Sequence, residues 1–276
     1  MAYAAPAGVS IQCKTMRHAN EDRFTVIESM PDYSDSVSFF AVYDGHCGDS
    51  CSAFLAEALH KYVTGSIAFQ NRDFKTALSE GLLAAEKNYR NQFENQVKGD
   101  PTATPDNPKP SAGSCAVCVI RTKTQLFIAN LGDCRAVAAV NSMSKMLTRD
   151  HKASDPIEKA RVVEAGGFVR SNRMFGLMSV TRSIGDFEYK LGNITGTLIC
   201  TPELHQEEIS PQHQCLIMAC DGLWDVVDNA LAVETALDSL RAGKTASETA
   251  FALAELAQQR GSKDDITVIV IPLNIS

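Results

Sequence analysis

The sequence predicts an α+β fold, in which sheets pack together and helices flank them. Several short, mostly apolar runs are bounded by turn-like residues, as strands are. Helical patterns lie among these runs in an irregular order: strands, two helices, strands, one helix, strands, two helices and a strand. A doubly wound parallel sheet is disfavoured, because it needs strands and helices to alternate regularly.

Local patterns place the individual elements. The predicted strands are near-continuous apolar runs, which indicates that helices or a second sheet cover both of their faces. Helices are indicated by apolar residues three and four positions apart, by N-cap residues and by glycines at helix ends. The predicted strands lie at residues 23–27, 39–43, 115–120, 125–129, 215–220 and 266–271, and the predicted helices at residues 51–62, 72–93, 156–165 (with Asp155 as N-cap and Glu158 at N3), 233–240 and from the Thr245 capping box onward.

A single domain over residues 1–276 is predicted. The segment at about 99–113 contains four prolines and no large apolar residue, so it cannot continue a helix and has nothing to bury. Similar strand patterns lie on both sides of it. We therefore expect a surface loop there and no domain boundary.

Composition excludes several classes of function. Lys and Arg number 26 and Asp and Glu 33, a net charge of −7, so a basic face for nucleic acid is not expected. The 9 cysteines cannot all pair, and their irregular spacing indicates thiols in a reducing compartment. No apolar run is long enough to span a bilayer, and the first residues do not form a signal peptide. We expect a protein of the cytoplasm, and also of the nucleus, with no membrane or nucleic-acid partner.

Acidic residues lie at the ends of many predicted strands. If these ends converge, carboxylates cluster with little positive charge nearby, and they repel one another unless a cation is present. Mg²⁺ and Mn²⁺ prefer such oxygen ligands. One Asp-Gly pair alone is typical of a simple turn, but two such pairs after buried-looking strands, with two further acidic pairs, favour a metal site. These residues are Glu21, Asp22, Asp44, Gly45, Asp133, Asp221, Gly222, Asp264 and Asp265.

His46 and Arg17 are candidates for the chemistry beside such a metal. His46 directly follows Asp44 and Gly45, and a histidine there can donate a proton to a leaving oxygen. The alternative for His46 is a turn histidine bonded to a backbone carbonyl. Arg17, four residues before Glu21, can grip a phosphate with its planar set of donors. A surface arginine without a role is equally consistent with that spacing.

Other catalytic motifs are absent or misplaced. The chain has no Gly-x-Gly pattern and no Walker phosphate loop. Residues 115–121 match the spacing of a cysteine phosphatase loop, but they form an apolar strand without an internal glycine. Cys115 and Cys118 lie three residues apart on that strand, hence on opposite faces, which argues against a zinc site or a redox pair.

Seven motifs extend over nearly the whole chain, from about residue 8 to residue 272: Arg17…Glu21-Asp22, Val42-Tyr43-Asp44-Gly45-His46, Leu131-Gly132-Asp133-Cys134-Arg135, Asp150-His151-Lys152, Thr181-Arg182-Ser183-Ile184-Gly185-Asp186, Ala219-Cys220-Asp221-Gly222-Leu223-Trp224-Asp225 and Ser262-Lys263-Asp264-Asp265. Together and in this order they resemble the metal-dependent protein phosphatases of type 2C. The resemblance implies a central antiparallel β-sandwich with helix pairs on both outer faces, in a four-layer αββα order. It implies hydrolysis of phosphoserine and phosphothreonine in phosphoprotein substrates by a monomer.

The resemblance also implies the cofactors and the residue roles. Two Mg²⁺ or Mn²⁺ ions bridge a hydroxide that attacks phosphorus, with no covalent intermediate. The implied roles are Asp44 as bridging ligand, Gly45 as carbonyl donor, Asp221 and Asp264 as ligands of the other ion, Glu21 and Asp22 as ligands through water (Asp22 also orienting the attacking water), Arg17 as phosphate clamp, His46 as general acid, and Asp133 and Asp225 as ligands of a third, weaker ion.

Two other functions compete with this one. A binding module without chemistry is weakened because Asp44, Asp221 and Asp264 are all present. A two-metal hydrolase of nucleotides or small phosphoesters stays open, because the site residues determine chemistry and not substrate. Residues 171–196 correspond to the variable flap of the family and, with the 99–113 loop, are candidates for choosing substrates. Cys47 and Cys220 flank metal-ligand positions, which suggests that their oxidation inhibits the enzyme.

Overall fold

The computed structural model describes residues 5–13, 18–30, 37–98, 111–190 and 196–274. Eight helices lie within these ranges. All five predicted helices are among them, and the three short ones were not predicted. Their bounds are α1 Ser50–Thr64, α2 Ile67–Gln70, α3 Phe74–Lys98, α4 Pro156–Glu164, α5 Phe187–Lys190, α6 Asp221–Trp224, α7 Asn229–Arg241 and α8 Ala246–Gln259.

Most strands belong to two antiparallel sheets. The first sheet has the order β1 (Ala7–Ile11), β13 (Ile266–Pro272), β12 (His213–Ala219), β6 (Arg135–Val140), β7 (Met143–Met146). The second sheet has the order β11 (Glu203–Glu208), β5 (Gln125–Leu131), β4 (Gly113–Arg121), β3 (Ser38–His46), β2 (Arg23–Ile27), and β10 (Ile184–Gly185) also pairs with β4. The short strands β8 (Val169–Arg170) and β9 (Arg173–Met174) pair apart from both sheets.

All six predicted strands are confirmed, and several others were missed. β11 shows why, since its residues alternate between half-buried and exposed. Such a strand carries polar residues at every second position, whereas the sequence prediction relied on continuous apolar runs. The predicted loop at 99–113 lies mostly outside the described residues. Its last residue, Gly113, is wrongly placed in the loop, because it pairs with His46 as the first residue of β4.

Three buried clusters explain why the strands are apolar on both faces. Along β3, Phe39 and Tyr43 pack with α1 and α3, while Phe40 and Val42 face the first sheet. Cys115 and Cys118 are divided in the same way, which confirms that the two thiols lie on opposite faces of β4. A third cluster joins the first sheet to α7 and α8. Full burial of one large apolar side chain contributes roughly 1.5–3 kcal/mol.

The α+β class with antiparallel sheets is therefore confirmed. The four-layer αββα order stays a prediction. Within the described ranges, none of the helices combines the length and the apolar character that a bilayer-spanning segment needs.

The start of α4 confirms its sequence prediction, and Glu158 at N3 makes a long-range contact that the sequence did not predict. Asp155 is the N-cap, because its carboxylate accepts hydrogen bonds from the N–H groups of Ile157 and Glu158, both at 3.0 Å. Glu158 does not turn back to the helix end as Glu248 does in the Thr245 capping box. Its side chain is fully buried and accepts a hydrogen bond from Arg182 at 2.6 Å. Glu158 thereby ties α4 to the segment that precedes β10.

Candidate metal centre

The ends of several strands meet at one edge of the sheets, where a cleft of about 450 Å³ opens. β3, β5 and β12 run towards this edge, whereas β2 and β13 start there, because these strands pair in an antiparallel manner. The acidic residues at these strand ends are thereby gathered, as the sequence predicts. Eight predicted site residues line the cleft: Glu21, Asp44, Gly45, His46, Asp133, Asp221, Asp264 and Asp265.

Two groups of side chains could each hold a metal ion. Carboxylate oxygens of Asp44, Asp133 and Asp221 all lie within 4.8 Å of one another. Oxygens of Asp22 and Asp44 and the sulfur of Cys220 form a second group of the same size. Asp44 belongs to both groups, so one carboxylate faces two candidate positions.

The backbone around Asp44 corrects one sequence prediction. A turn at Asp44-Gly45 is wrong, because β3 continues through both residues to His46 and pairs with β4 along its full length. Asp221 likewise starts the short helix α6 instead of a turn. Regular backbone hydrogen bonds therefore hold Asp44, and a strand positions a side chain more rigidly than a turn does.

Two glycines allow the strand ends to approach. A Cβ atom on Gly45 would collide with the carbonyl oxygen of Glu21, and one on Gly222 would collide with that of Asp265. Ser52 donates a hydrogen bond to the same Glu21 carbonyl. Any larger residue at Gly45 or Gly222 would push apart the segments that carry the carboxylates.

The cluster is electrostatically incomplete as a set of free carboxylates. Burial, and then the neighbouring carboxylates, raises the pKa of Asp44 and of Asp221 well above the ordinary value. Burial also raises the pKa of Asp22 to about 7, against hydrogen bonds from Thr267 and Cys220. Among the described side chains, Oδ2 of Asp22 and Oδ2 of Asp133 are buried without a hydrogen-bond partner. A divalent cation supplies the missing positive charge, so these residues fit a hard metal ion.

Glu21 and Asp264 flank the cluster and are held by their neighbours. Oε1 of Glu21 accepts the Gly48 N–H at 2.8 Å, and its own N–H donates to Oδ2 of Asp265 at 2.9 Å. Oδ1 of Asp264 accepts the Asp265 N–H at 2.8 Å. Asp265 therefore positions both residues.

Positive charge is nearer to the cluster than the sequence analysis predicts. Nζ of Lys152 lies 2.6 Å from Oδ1 of Asp225 and 3.7 Å from Oδ2 of Asp133. The expectation of little positive charge is wrong at this side of the site, because Lys152 reaches between the two residues assigned to the third ion. Asp225 is 58% exposed, and its carboxylate turns to Lys152 instead of joining either group.

His46 is not held by a backbone carbonyl, as the alternative sequence interpretation supposed. Its Nε2 lies 2.9 Å from both carboxylate oxygens of Asp186. Burial lowers the pKa of His46, but the charge and the hydrogen bond of Asp186 outweigh it and raise the pKa overall. Arg17, the predicted phosphate clamp, lies outside the described residues.

Sequence reasoning assigned no role to two residues of the site. They are Lys152 and Asp186, and each lies in one of the seven motifs. The signal was present, since each of the two is a charged residue within a motif. Nothing local, however, indicates which distant side chain each of them would contact.

The sequence has counterparts among known proteins. The sequence model of the family described as "Protein phosphatase 2C" matches residues 7–266. The chain is 35% identical to the probable protein phosphatase 2C 2 of Arabidopsis thaliana, covering 96% of this chain and 67% of that protein. It is 30% identical to human protein phosphatase 1A, covering 91% and 66%. The chain thus spans about two thirds of the length of these curated relatives.

Solved structures show the same fold. A serine-threonine phosphatase 2C from Toxoplasma gondii superposes with a TM-score of 0.80 at 24% identity, covering 99% of this chain and 96% of that one. A sex-determining protein of C. elegans superposes with a TM-score of 0.78 at 26% identity, covering 99% and 65%. The chain therefore belongs to the protein phosphatase 2C family of metal-dependent protein serine/threonine phosphatases.

Proposed function

We propose that this chain hydrolyses phosphoserine and phosphothreonine in proteins with two Mg²⁺ or Mn²⁺ ions. The proposal rests on one observation: the carboxylate of Asp44 belongs to both groups of side chains that could hold a metal ion. Two ions bound there would make hydroxide available from a shared water near neutral pH and would neutralise charge on the phosphoryl group.

Different residues around the cleft would bind each of these ions. Asp44 would serve both ions, the carbonyl of Gly45 would serve one of them, and Asp221 and Asp264 would hold the other. Asp22 and Glu21 would act through water, and the buried Asp22 carboxylate would orient the attacking water. A third, weaker ion on Asp133 and Asp225 would have to displace Lys152 from Asp225.

The remaining steps fall to side chains that touch the substrate. We assign His46 as the acid that protonates the leaving serine or threonine oxygen, because it lines the cleft and a carboxylate supports its charged form. Arg17 would grip the phosphate oxygens through its planar donors. Attack in line with the leaving oxygen needs no covalent enzyme intermediate.

One wall of the cleft supports a protein substrate. Its wall includes Arg173, Leu177 and Met178, from the segment that the sequence analysis identifies with the variable flap. Leu177 is 59% exposed beside the acidic floor, so a chain extending past the phosphate could contact it. We propose that residues 1–276 form one catalytic domain, since the buried cluster between the sheets draws on both of them, and that it acts as a monomer.

The experiment that tests this function is hydrolysis of a phosphothreonine peptide with Mn²⁺, with EDTA and with Asp221→Asn. We expect activity only with Mn²⁺ and a loss of at least a hundredfold in the variant, because a ligand is removed from a buried charged site. Exposed Asp238 on α7 gives the matched control, and Asp238→Asn should keep full activity.

Two outcomes would favour the alternatives. Faster hydrolysis of a nucleotide than of the phosphopeptide would indicate a small-molecule phosphoesterase. Absence of hydrolysis with either metal, in protein that melts cooperatively, would contradict the phosphatase function and favour a binding module.

A further inference from the structure

Asp186 makes a contact with His46 that the proposed roles leave unexplained. The two residues are 140 positions apart in the chain, yet Nε2 of His46 lies 2.9 Å from both Asp186 oxygens. The Asp186 side chain is 2% exposed, and that of His46 is 30% exposed in the cleft. Oδ2 of Asp186 also accepts a hydrogen bond from the Ser183 hydroxyl at 2.5 Å. Within the described residues, no hydrogen bond engages the other ring nitrogen, Nδ1.

The sheet leaves room for this contact at one position. Gly113 pairs with His46 on one side and with Gly185 on the other, so it lies between the two strands. A Cβ atom on Gly113 would collide with Oδ2 of Asp186 and with Nε2 of His46. Because Gly113 has no side chain, the Asp186 carboxylate can contact the His46 imidazole at this position.

The backbone around Asp186 is anchored independently of His46. Asp186 has a φ of +51°, which aspartate tolerates better than most residues do. The Gly185 N–H donates to Oε2 of Glu86 at 2.9 Å, and the Phe187 N–H donates to the Ser111 hydroxyl at 2.6 Å. Lys190 joins Glu86 to the Ser183 carbonyl. The carboxylate is therefore held in place on both sides of its own residue.

We propose that Asp186 is a positioning residue for His46, fixing the imidazole so that Nδ1 delivers its proton to the leaving oxygen. Nε2–H donates to Asp186 throughout. As the phosphorus–oxygen bond breaks, the Nδ1 proton moves to the departing serine or threonine oxygen, which leaves as the hydroxyl, and neutral His46 retains Nε2–H. Solvent then returns a proton to Nδ1. The inference rests on the proposed function, in which His46 is the acid.

Leaving-group dependence tests this role. A phosphothreonine peptide has an alkoxide leaving group that needs an acid, whereas p-nitrophenyl phosphate has a good leaving group that does not. We expect Asp186→Asn to lower kcat for the peptide by about tenfold to a hundredfold, within the range of general acid catalysis. Hydrolysis of p-nitrophenyl phosphate should fall less than threefold. His46→Gln should show the same selectivity, and the double variant should lose no more than His46→Gln alone, because both act through one proton.

Glu86→Gln is the matched control, because Glu86 anchors the same segment without touching His46. We expect Glu86→Gln to lower the rates of hydrolysis of the phosphopeptide and of p-nitrophenyl phosphate by the same factor. If Asp186→Asn does not fold, Gly113→Ala replaces it, since its new Cβ would displace the contact and should produce the selective loss.

The possible failures can be told apart. Equal loss on both substrates with Asp186→Asn, or losses that multiply in the double variant, would overturn the positioning role while the phosphatase function stands. If His46→Gln itself shows no selectivity, its assignment as the acid fails and the positioning role fails with it. If the unchanged protein hydrolyses neither substrate with Mn²⁺, the proposed function is wrong.

Discussion

At the scale of single residues, burial and nearby negative charges together raise the pKa values of side chains at the site. Asp44 lies among carboxylates at the half-buried end of β3, and these neighbours add to the effect of burial in raising its pKa. The same acidic surroundings act on the thiols nearby. Burial and the charges of Asp186 and Glu188 raise the pKa of Cys47, although its side chain is exposed. Cys220 is 1% exposed, and burial followed by the charge of Asp22 raises its pKa well above the ordinary value.

Without a bound cation, these pKa shifts weigh against the prediction that oxidation inhibits the enzyme. The thiolate is the reactive form, and a raised pKa disfavours it. We expect peroxide to inactivate the Cys47→Ser, Cys220→Ser double variant as slowly as the unchanged protein. The measurement is residual phosphatase activity against time in peroxide at neutral pH. A clearly slower loss in the double variant would restore the oxidation hypothesis.

At the scale of elements, α4 affects the site through one buried side chain. Burial alone would raise the pKa of Glu158, but hydrogen bonds from Arg182 and Thr181, with the charges of Arg182 and Arg161, lower it to about 2. Thr181 and Arg182 lead directly into the segment that carries Asp186. The helix thereby fixes the start of that segment.

We expect Glu158→Gln to destabilise the protein by about 3–5 kcal/mol, because it breaks a fully buried carboxylate's ion pairs and leaves the half-buried Arg161 and Arg182 without their anion. Glu164→Gln, at an exposed position of the same helix, is the control and should change stability by less than about 0.5 kcal/mol. Urea denaturation of both variants measures the difference. Equal midpoints would show that the Glu158 contacts contribute little.

The pH dependence of this contact has a defined sign. The folded-state pKa of Glu158 is below its ordinary value of 4.5. Its stabilising contribution is therefore present above pH 4.5 and is lost as the pH falls towards 2. The stability of Glu158→Gln should change less across that interval than the stability of the unchanged protein.

At the scale of the whole molecule, packing of the two sheets brings their acidic strand ends to one edge. Folding therefore creates the cluster of negative charges. In the absence of a divalent cation, Asp22 has a folded-state pKa raised from 3.8 to about 7. The folded state then binds more protons than the unfolded chain between those values. Stability must therefore fall as the pH rises through that interval, by about 1.4 kcal/mol for each unit by which the pKa is raised.

We expect Mn²⁺ to remove this pH dependence, because the cation offsets the repulsion that raises the pKa. The measurement is the Tm at pH 5, 6, 7 and 8 with EDTA and with Mn²⁺. The gap between the two series should widen as the pH rises. A constant gap, or a larger one at pH 5, would contradict binding of the cation at these carboxylates.

Much of this protein could be predicted from the sequence, because the signals are local. The apolar runs became β3, β4 and β12 since a strand covered on both faces needs apolar residues throughout. The Asp155 cap and the Thr245 capping box started helices because their contacts span only three residues. Acidic residues at strand ends predicted a carboxylate cleft, since antiparallel pairing brings such ends to one edge of a sheet.

Other features were decided only by the tertiary structure. The sequence by itself determined the five longer helices, six of the strands and the place of each carboxylate along the chain. It did not determine that Asp133 joins Asp44 and Asp221, that Lys152 reaches Asp225, or that Asp186 holds His46 across the gap at Gly113. Those contacts join residues as many as 140 positions apart. They depend on how the sheets pack and on the direction of each side chain, and no local pattern in a sequence carries that information.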